Sequence, residues 1–418
     1  MKEKICIIGL GYVGLPLSYA FSSKGFQVVG YDNSKNRIKD LKKSFDKNGE
    51  FSKKELIDRK SLIFSNNIQD IKSSNIYIVT VPTPVKKNKT PNLNPLLKAT
   101  KTIAECLRIN DIVIYESTVF PGCTEEECIP VLEKYSKLKY NKDFYCGYSP
   151  ERINPGDKKR KLEDIIKVTS GSNSQTAKKI DNLYKTIIKA GTYLAPSIKV
   201  AEASKIIENV QRDVNISLIN EIAIIFNRIG IDTSEVLKAS TTKWNFLDFK
   251  PGLVGGHCIG VDPYYLAYKS KQVGYTPNVI LSGRKVNNKM GKHIASSISK
   301  LMIKRNFKAE KCKVLILGIT FKENCSDIRN SRIFNLYKEL RKLNLNVDIF
   351  DPCAVKSEVL KNFKIELIDT IKSKYEIIIL AVAHKKFLKM NLLNFKTNDG
   401  FIYDIKSVLN ESIVAGRL

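Results

Sequence analysis

Three glycines near the start of the chain, spaced Gly9-x-Gly11-x-x-Gly14, constrain its fold more than any other feature. An apolar run, KICIIG (4–9), precedes them, a helical stretch follows, and a second apolar run, FQVVGYD (26–32), ends in an acid. This order predicts a strand, a helix and a parallel strand. Gly9 permits a tight turn, Gly11 lets the backbone approach a pyrophosphate, and Gly14 lets the helix pack on the strand. The segment therefore predicts a dinucleotide site at a helix N-terminus.

The acid that ends the second run indicates which dinucleotide binds. Asp32 lies 18 residues after Gly14, where a carboxylate can accept a hydrogen bond from the ribose 2′-hydroxyl. A 2′-phosphate would meet a like charge there, which favours NAD over NADP. Lys35 and Arg37 lie close by and would suit a phosphate. The cofactor we expect is NAD.

The alternation of apolar strand-like runs and helical segments continues along the chain. Buried strands are predicted at 75–81, 111–118 and 144–150, with helical segments between them. Residues 200–228 keep an uninterrupted helical period, which predicts one long helix. The strand–helix–strand pattern then returns in KVLILGITF, VDIFDP and EIIILAV, after Lys311.

These patterns predict an α/β fold with two doubly wound Rossmann-like domains joined by a long central helix. We expect an NAD-binding domain at 1–195, a central helical domain at 196–300 and a second Rossmann-like domain at 301–418. A length of 418 residues is more than one hydrophobic core usually serves.

Charge and cysteine content limit the class of protein. The chain has 70 Lys and Arg against 42 Asp and Glu, and its net charge is +28. A charge of this size would attract a polyanion. No nucleic-acid-binding module is recognised, and no apolar run is long enough to span a bilayer. The nine cysteines and three histidines lack zinc-ligand spacing. We expect a reduced, cytoplasmic protein without a metal, without membrane insertion and without a specific nucleic-acid partner.

One cysteine has a setting that suits catalysis. Cys258 lies in the Gly-rich segment PGLVGGHCIGVDP (251–263), where a thiolate exposed on a loop can attack an aldehyde. A small buried hydrophobe is the alternative, and it is the interpretation we give to the other eight cysteines.

Six ordered motifs now point to a family. The chain resembles the UDP-glucose/GDP-mannose dehydrogenases over nearly its whole length. The matching stretches are GLGYVGLP (9–16), ESTVFPG (116–122), YSPERINPGD (148–157), AEASKIIEN (201–209), PGLVGGHCIGVDPYYL (251–266) and GITFKENCSDIRNS (318–331). The resemblance implies an N-terminal NAD domain, a long helix that forms a homodimer and a C-terminal domain that binds the UDP part of the substrate.

The resemblance also assigns catalytic roles. Cys258 is similar to the family's nucleophile, which carries the substrate as a thioester through two hydride transfers at the sugar C6. Lys205 and Asn209 resemble the pair beside the reacting carbon, and as i and i+4 residues of a helix they share a face. Asp262 corresponds to the carboxylate next to the nucleophile. Without the family, Lys205 and Asn209 would be interpreted as a solvated helix stripe.

Further positions follow from the same motifs. Glu151 is similar to the carboxylate implicated in thioester hydrolysis, and Thr118 to a hydroxyl that orients water and contacts the cofactor; a turn acid and a strand-end cap are the alternatives. The implied cofactor contacts are Gly9, Gly11, Tyr12, Val13, Gly14, Asp32, Arg37, Thr83, Thr118 and Arg329. The implied substrate contacts are Glu151, Arg152, Lys205, Asn209, Gly255, Arg284 and Lys322. Arg284 could equally belong to a surface network.

One motif narrows the choice among possible sugar substrates. The UDP-glucose branch of the family usually has SPEF-x-x-EG where this chain has SPERINPGD, so that Pro155 replaces a Glu. The chain more closely resembles the branch acting on UDP-N-acetylglucosamine or UDP-N-acetylgalactosamine, which supplies capsule and O-antigen synthesis. UDP-glucose and UDP-N-acetylmannosamine are alternatives. A two-electron NAD-dependent dehydrogenase and a polyanion-binding protein are rivals from other classes.

Overall fold

The computed structural model describes residues 3–57, 61–152, 161–256 and 259–418. The chain forms two compact units. The first contains Met1–Glu208 and Tyr264–Tyr275, and the second contains Asn209–Pro263 and Thr276–Leu418. Domain boundaries at 195/196 and 300/301 remain a prediction.

The first unit is built on a six-stranded parallel sheet. Its strands are β1 (Lys4–Ile8), β2 (Gln27–Tyr31), β3 (Leu62–Ser65), β4 (Ile76–Val79), β5 (Ile112–Tyr115) and β6 (Tyr145–Tyr148). Their order is β3-β2-β1-β4-β5-β6, the order of a dinucleotide-binding doubly wound sheet. A separate parallel pair consists of β7 (Lys167–Thr169) and β8 (Thr192–Leu194).

Helices cover both faces of this sheet, as parallel strands require. They are α1 (Gly14–Ser23), α2 (Lys35–Lys42), α3 (Lys53–Ile57), α4 (Asn94–Ala104), α5 (Ile129–Ser136) and α6 (Ser174–Lys185). The Ser34 side chain accepts from the backbone N–H of Arg37 at the start of α2, and Asn173 does the same for Thr176 at α6. Strands β1, β4 and β5 are buried almost throughout, which explains their unbroken apolar sequences.

A 32-residue helix, α7 (Ile198–Ile229), confirms the predicted central helix. It is followed by α8 (Thr233–Ser240), α9 (Asp262–Gln272) and α10 (Asn278–Lys304). Among the helices that the structure describes, none combines the length and the apolar character that crossing a membrane would demand.

The second unit contains another parallel sheet, with strands β9 (Lys313–Leu317), β10 (Asn346–Phe350), β11 (Tyr375–Leu380), β12 (Lys396–Asp404) and β13 (Gly416–Arg417). The order β10-β9-β11-β12-β13 is the second common doubly wound order. Alternate residues of β9 pack into different clusters, Val314 and Ile316 into one and Leu315 and Leu317 into the other. Both faces are therefore covered, by helices that include α11 (Ile333–Lys342), α12 (Lys356–Phe363) and α13 (Lys385–Leu388). The predicted fold class is confirmed.

Candidate active site

The glycine fingerprint forms the loop between β1 and α1. Gly9 has a φ of +96°, which a residue with a side chain rarely adopts. A Cβ on Gly14 would lie 3.0 Å from the carbonyl carbon of Gly9 and closer still to its oxygen and to the Thr80 hydroxyl. Around Gly11, no described atom lies within 4 Å of such a Cβ. The loop thus leaves open the side on which a pyrophosphate would approach.

Asp32 holds this loop in place. Its carboxylate accepts from the backbone N–H of Leu10 (2.9 Å) and of Ser34 (2.8 Å). Arg37 donates from Nε to the Leu10 carbonyl (2.9 Å) and pairs with Asp46 (2.7 Å). Each carboxylate oxygen has a second lone pair, so Asp32 can still accept from a ribose hydroxyl. Within the described part of the chain, the buried Arg37 Nη2 has no hydrogen-bond partner. The residues present therefore fit NAD.

The next predicted residues follow consecutive strands at the carboxyl edge of the sheet. Thr83 follows β4, Thr118 follows β5 and Glu151 follows β6. The Thr83 hydroxyl donates to the carbonyl of Thr118 (2.6 Å), and the Tyr265 hydroxyl donates to the carbonyl of Thr83 (2.8 Å). Ligands of doubly wound proteins bind at this edge. Thr83 and Thr118 are thus brought into contact where the sequence places a cofactor.

Glu151 belongs to a buried charged network that the sequence analysis missed. Lys167 Nζ donates to Glu116 Oε2 (2.7 Å) and to Glu151 Oε2 (3.3 Å). The other oxygen of Glu116 accepts from the Tyr184 hydroxyl. Burial raises the pKa of Glu116 to about 7, against the opposing effect of Lys167. A glutamate directly after the apolar strand IVIY was the one available signal.

The first third of α7 belongs to the first unit, where acidic side chains hold it in place. The buried Glu202 accepts from the backbone N–H of Gly122 and of Thr124 (2.9 Å), at the start of the helical stretch that leads into α5. Arg152 forms a two-pronged ion pair with Glu208 of α7. Lys205 lies between these attachments and is buried, not a solvated helix position.

Cys258 lies outside the described residues, and so does Pro155. The chain on either side of the cysteine is held by hydrogen bonds within the second unit. After it, Asp262 accepts from the amide of Asn209 on α7 (2.6 Å). This contact brings together two of the predicted catalytic residues.

Before the cysteine, the Gly-rich segment is anchored through its backbone. Asn220 of α7 donates to the Gly252 carbonyl (3.0 Å) and accepts from its N–H (2.8 Å). From the motif at 318–331, Asn330 donates to the Gly256 carbonyl (2.8 Å). A Cβ at Gly255 would lie 2.8 Å from the carbonyl oxygen of Asn330. Gly255 is therefore needed for the close approach of two backbones.

Arg284 is not part of a surface network. It is 2% exposed and pairs with Asp213 of α7 (2.5 Å). Asn287 donates to the same carboxylate oxygen (2.8 Å). Arg284 Nη2 also donates to Asn288 (2.9 Å). This buried pair connects α7 to α10, and a substrate contact of Arg284 remains a prediction.

The motif that precedes α11 presents cations. Arg329 makes a two-pronged pair with Asp327, from Nε (2.9 Å) and Nη2 (2.7 Å), and its side chain is half exposed. The Lys322 ammonium lies 5.5 Å from the centre of the Phe321 ring. Guanidinium and ammonium groups of this kind suit a diphosphate.

Asp351, Cys353 and His384 form a group in the second unit whose side chains lie close enough to hold a metal ion. Both ring nitrogens of His384 are already engaged: Nδ1 accepts from the N–H of Asn324 (2.9 Å), and Nε2 lies 3.2 Å from Asp351. Asp351 also accepts from the N–H of Ile319 (2.6 Å). These hydrogen bonds give the cluster a structural role, because they join the loops at the carboxyl edge of the second sheet.

Three family models cover most of the chain. They describe the NAD-binding domain of the UDP-glucose/GDP-mannose dehydrogenase family (residues 3–188), its central domain (199–289) and its UDP-binding domain (315–411). The chain belongs to the UDP-glucose/GDP-mannose dehydrogenase family. This confirms the predicted family, the NAD cofactor and the enzyme class, an NAD-dependent nucleotide-sugar 6-dehydrogenase. The UDP-binding domain supports a UDP-linked substrate.

Individual relatives share nearly the full length. The UDP-N-acetyl-D-glucosamine 6-dehydrogenase of Salmonella typhi is 54% identical over 98% of this chain and 97% of its own. That of Pseudomonas aeruginosa is 51% identical over 98% of both. Among solved structures, the UDP-D-ManNAc dehydrogenase of Pyrococcus horikoshii matches with a TM-score of 0.87 and 28% identity, covering 99% of this chain and 98% of that one.

Proposed function

We propose that this enzyme oxidises the C6 hydroxymethyl group of a UDP-N-acetylhexosamine, UDP-GlcNAc or UDP-GalNAc, to a carboxylate. The observation that carries the proposal is that two relatives more than 50% identical over 98% of the chain are UDP-N-acetyl-D-glucosamine 6-dehydrogenases. UDP-N-acetylmannosamine is the second candidate, because the similar structure from Pyrococcus horikoshii is a UDP-D-ManNAc dehydrogenase, although at only 28% identity. UDP-glucose is a further alternative.

The reaction we propose removes four electrons. The alcohol becomes an aldehyde, the Cys258 thiolate adds to the aldehyde carbon, and the resulting thiohemiacetal is oxidised to a thioester. Water then displaces the thiolate and leaves the uronate. When bound, NAD supplies the hydride acceptor for both oxidations, one molecule for each. A two-electron dehydrogenase would stop at the aldehyde and need no cysteine.

Lys205, Asn209 and Asp262 are the residues to which we assign the oxidation steps. An amide and an ammonium can stabilise the oxyanion that forms when the thiolate adds to the aldehyde. Lys205, with a water held by Asp262, would take the proton of the alcohol. The hydrogen bond from Asn209 to Asp262 supports this assignment, because it fixes the two side chains against each other, and Asp262 follows Cys258 by four residues in the chain.

Glu151 and Thr118 are the residues to which we assign hydrolysis. Glu151 would accept a proton from water as the water oxygen bonds to the thioester carbon, and the C–S bond would break to release the thiolate. Thr118 would orient that water. Their positions after neighbouring strands β6 and β5 support this assignment.

The biological setting we infer is the cytoplasm, where NAD and nucleotide sugars are available, and a route to surface polysaccharides such as capsule or O-antigen. Oxidation at C6 leaves the bond between the sugar and UDP intact, so the product is still an activated glycosyl donor. That chemistry supports a role in supplying a glycosyltransferase with an acidic sugar.

We infer a homodimer formed through α7. Leu218, Ile225 and Ile229 are 54%, 49% and 61% exposed. Their spacings of seven and four residues place them on one face of the helix. An apolar stripe of this kind on a long helix suits a second copy of the same helix.

A parallel turnover assay tests the substrate. The purified protein is incubated with NAD and each of UDP-GlcNAc, UDP-GalNAc, UDP-ManNAc and UDP-glucose, following NADH and the charge of the sugar product. We expect kcat/KM to be at least tenfold higher for one of the two named N-acetylhexosamines. A higher value for UDP-glucose or UDP-ManNAc would show that the proposed sugar is wrong.

A further inference from the structure

The network around Glu116 places two carboxylates and one ammonium in the interior of the first unit. The side chains of Glu116, Lys167 and Glu151 are 0%, 4% and 9% exposed. Buried charges are costly, and apolar residues in their place are often as stable or more so. Stability alone is therefore a poor reason for this arrangement. Its position directly behind Glu151 suggests a role in catalysis.

Lys167 forms an ion pair with each of the two carboxylates. Lys167 Nζ lies between the two carboxylates, 2.7 Å from Glu116 and 3.3 Å from Glu151. It also lies 5.1 Å from the centre of the Tyr184 ring, and the Tyr184 hydroxyl donates to Glu116. Glu116 and Glu151 therefore share one ammonium group. A change in the charge of Glu116 would therefore change how strongly Lys167 pairs with Glu151.

We propose that Glu116 and Lys167 are positioning residues for Glu151, and that the ammonium shared by the two carboxylates sets the pH range in which the thioester is hydrolysed. This inference rests on the proposed role of Glu151 in thioester hydrolysis. The step is balanced without any further reactant: water gives a proton to Glu151 and its oxygen to the acyl carbon, and the sulfur leaves as thiolate.

The titration behaviour of the network is consistent with this role. Burial lowers the pKa of Lys167, but the two carboxylates outweigh burial, so that pKa is raised and the ammonium stays charged. Burial, and to a smaller extent the charge of Glu151, raises the pKa of Glu116 to about 7. A proton entering near neutral pH would neutralise Glu116 and leave the ammonium to Glu151 alone. Among the described residues, the network also meets the Tyr184 phenol from α6, and the Arg152–Glu208 ion pair lies next to Glu151 in the chain.

Two substitutions should move the pH profile in opposite directions. Glu116→Gln removes a negative charge and leaves Lys167 to Glu151, which should remain ionised to lower pH. Lys167→Met removes the cation and leaves two buried carboxylates, so that Glu151 should become protonated at higher pH. In each case we expect the acid limb of the pH profile of the hydrolysis rate to shift by about one pH unit or more. Loss of structure alone would not produce shifts of opposite sign.

The measurement is a single-turnover experiment with enzyme in excess over UDP-GlcNAc and with NAD present. Acid quenching and intact-protein mass spectrometry follow the decay of the acyl adduct between pH 5 and 9. Because Cys258 is esterified in that species, its own titration cannot contribute to the profile. Lys167→Arg keeps the charge and should restore the wild-type limb. Asp111→Asn is the matched control, since it removes a buried carboxylate next to the opposite end of β5.

The outcomes separate this inference from the proposed function. Opposite shifts in Glu116→Gln and Lys167→Met, with wild-type limbs in Lys167→Arg and Asp111→Asn, would support it. An adduct that forms and decays with the same acid limb in all variants would overturn the inference and leave the thioester mechanism standing. If Lys167→Met does not fold, an unshifted limb in Glu116→Gln alone refutes it. Absence of any adduct in the wild type would contradict the thioester mechanism itself.

Discussion

The structure predicts different defects for replacing Gly14 and Gly11 of the glycine fingerprint with alanine. At Gly14 an added methyl group would press on the carbonyl of Gly9 and the hydroxyl of Thr80, so α1 must move away from the loop. Overpacking of this kind costs about 3 kcal/mol, which corresponds to a fall in Tm of roughly 6–12 °C for a unit of this size. Gly14→Ala should therefore unfold at lower temperature and also bind NAD more weakly.

At Gly11 the same methyl group meets no described atom within 4 Å. The unfolding free energy of Gly11→Ala should stay within about 0.5 kcal/mol of the wild type. The methyl group would instead occupy the space of the pyrophosphate, and KM for NAD should rise at least tenfold, about 1.4 kcal/mol. Thermal unfolding without NAD and an NAD titration measure both effects. A wild-type Tm in Gly14→Ala, or wild-type NAD affinity in Gly11→Ala, would refute this account of the loop.

Three further predictions concern other parts of the chain. Asn209→Asp should place a second carboxylate against Asp262 and lower kcat at least tenfold, with partial recovery as the pH falls and one of the pair is protonated; unchanged kcat from pH 6 to 9 would contradict this. Burial raises the pKa of Asp111 from 3.8 to about 6, so between these values the folded state binds more protons and the unfolding free energy should fall as pH rises; Asp111→Asn should flatten that slope in urea titrations. Leu218→Asp should shift the protein towards monomer in sedimentation velocity experiments, whereas Val355→Asp, an exposed apolar position outside α7, should not.

Local sequence rules predicted the elements that position the cofactor. The run KICIIG became β1, the glycines became the loop before α1, and the helical period from Val200 became α7 because each pattern has one compatible structure. Strand β12 was missed because its first half, KTND, is polar, and only GFIYD has the character of a buried strand. The pair β7 and β8 was missed because three-residue strands carry no periodicity.

Some residues of the candidate site could be assigned from the sequence, and others only from the structure. Asn209 and Asp262 were both assigned through the family motifs, and the structure adds that they are hydrogen-bonded. Glu116 and Lys167 were not singled out, because they lie 51 residues apart and a buried ion pair depends on which strands become neighbours. Arg284 was left between two interpretations for the same reason, since its partner Asp213 lies 71 residues earlier. Long-range pairs of charges require the topology before they can be recognised.

The central claim is that Cys258 carries the substrate as a thioester between two oxidations. The most direct measurement is a rapid-quench experiment that records NADH formed per UDP-GlcNAc and the mass of the intact protein in the same samples. We expect two NADH per uronate and a transient adduct that maps to Cys258. Cys258→Ser should form no thioester and should not release uronate at the wild-type rate. One NADH per sugar with an aldehyde product, or full turnover in Cys258→Ser, would contradict it.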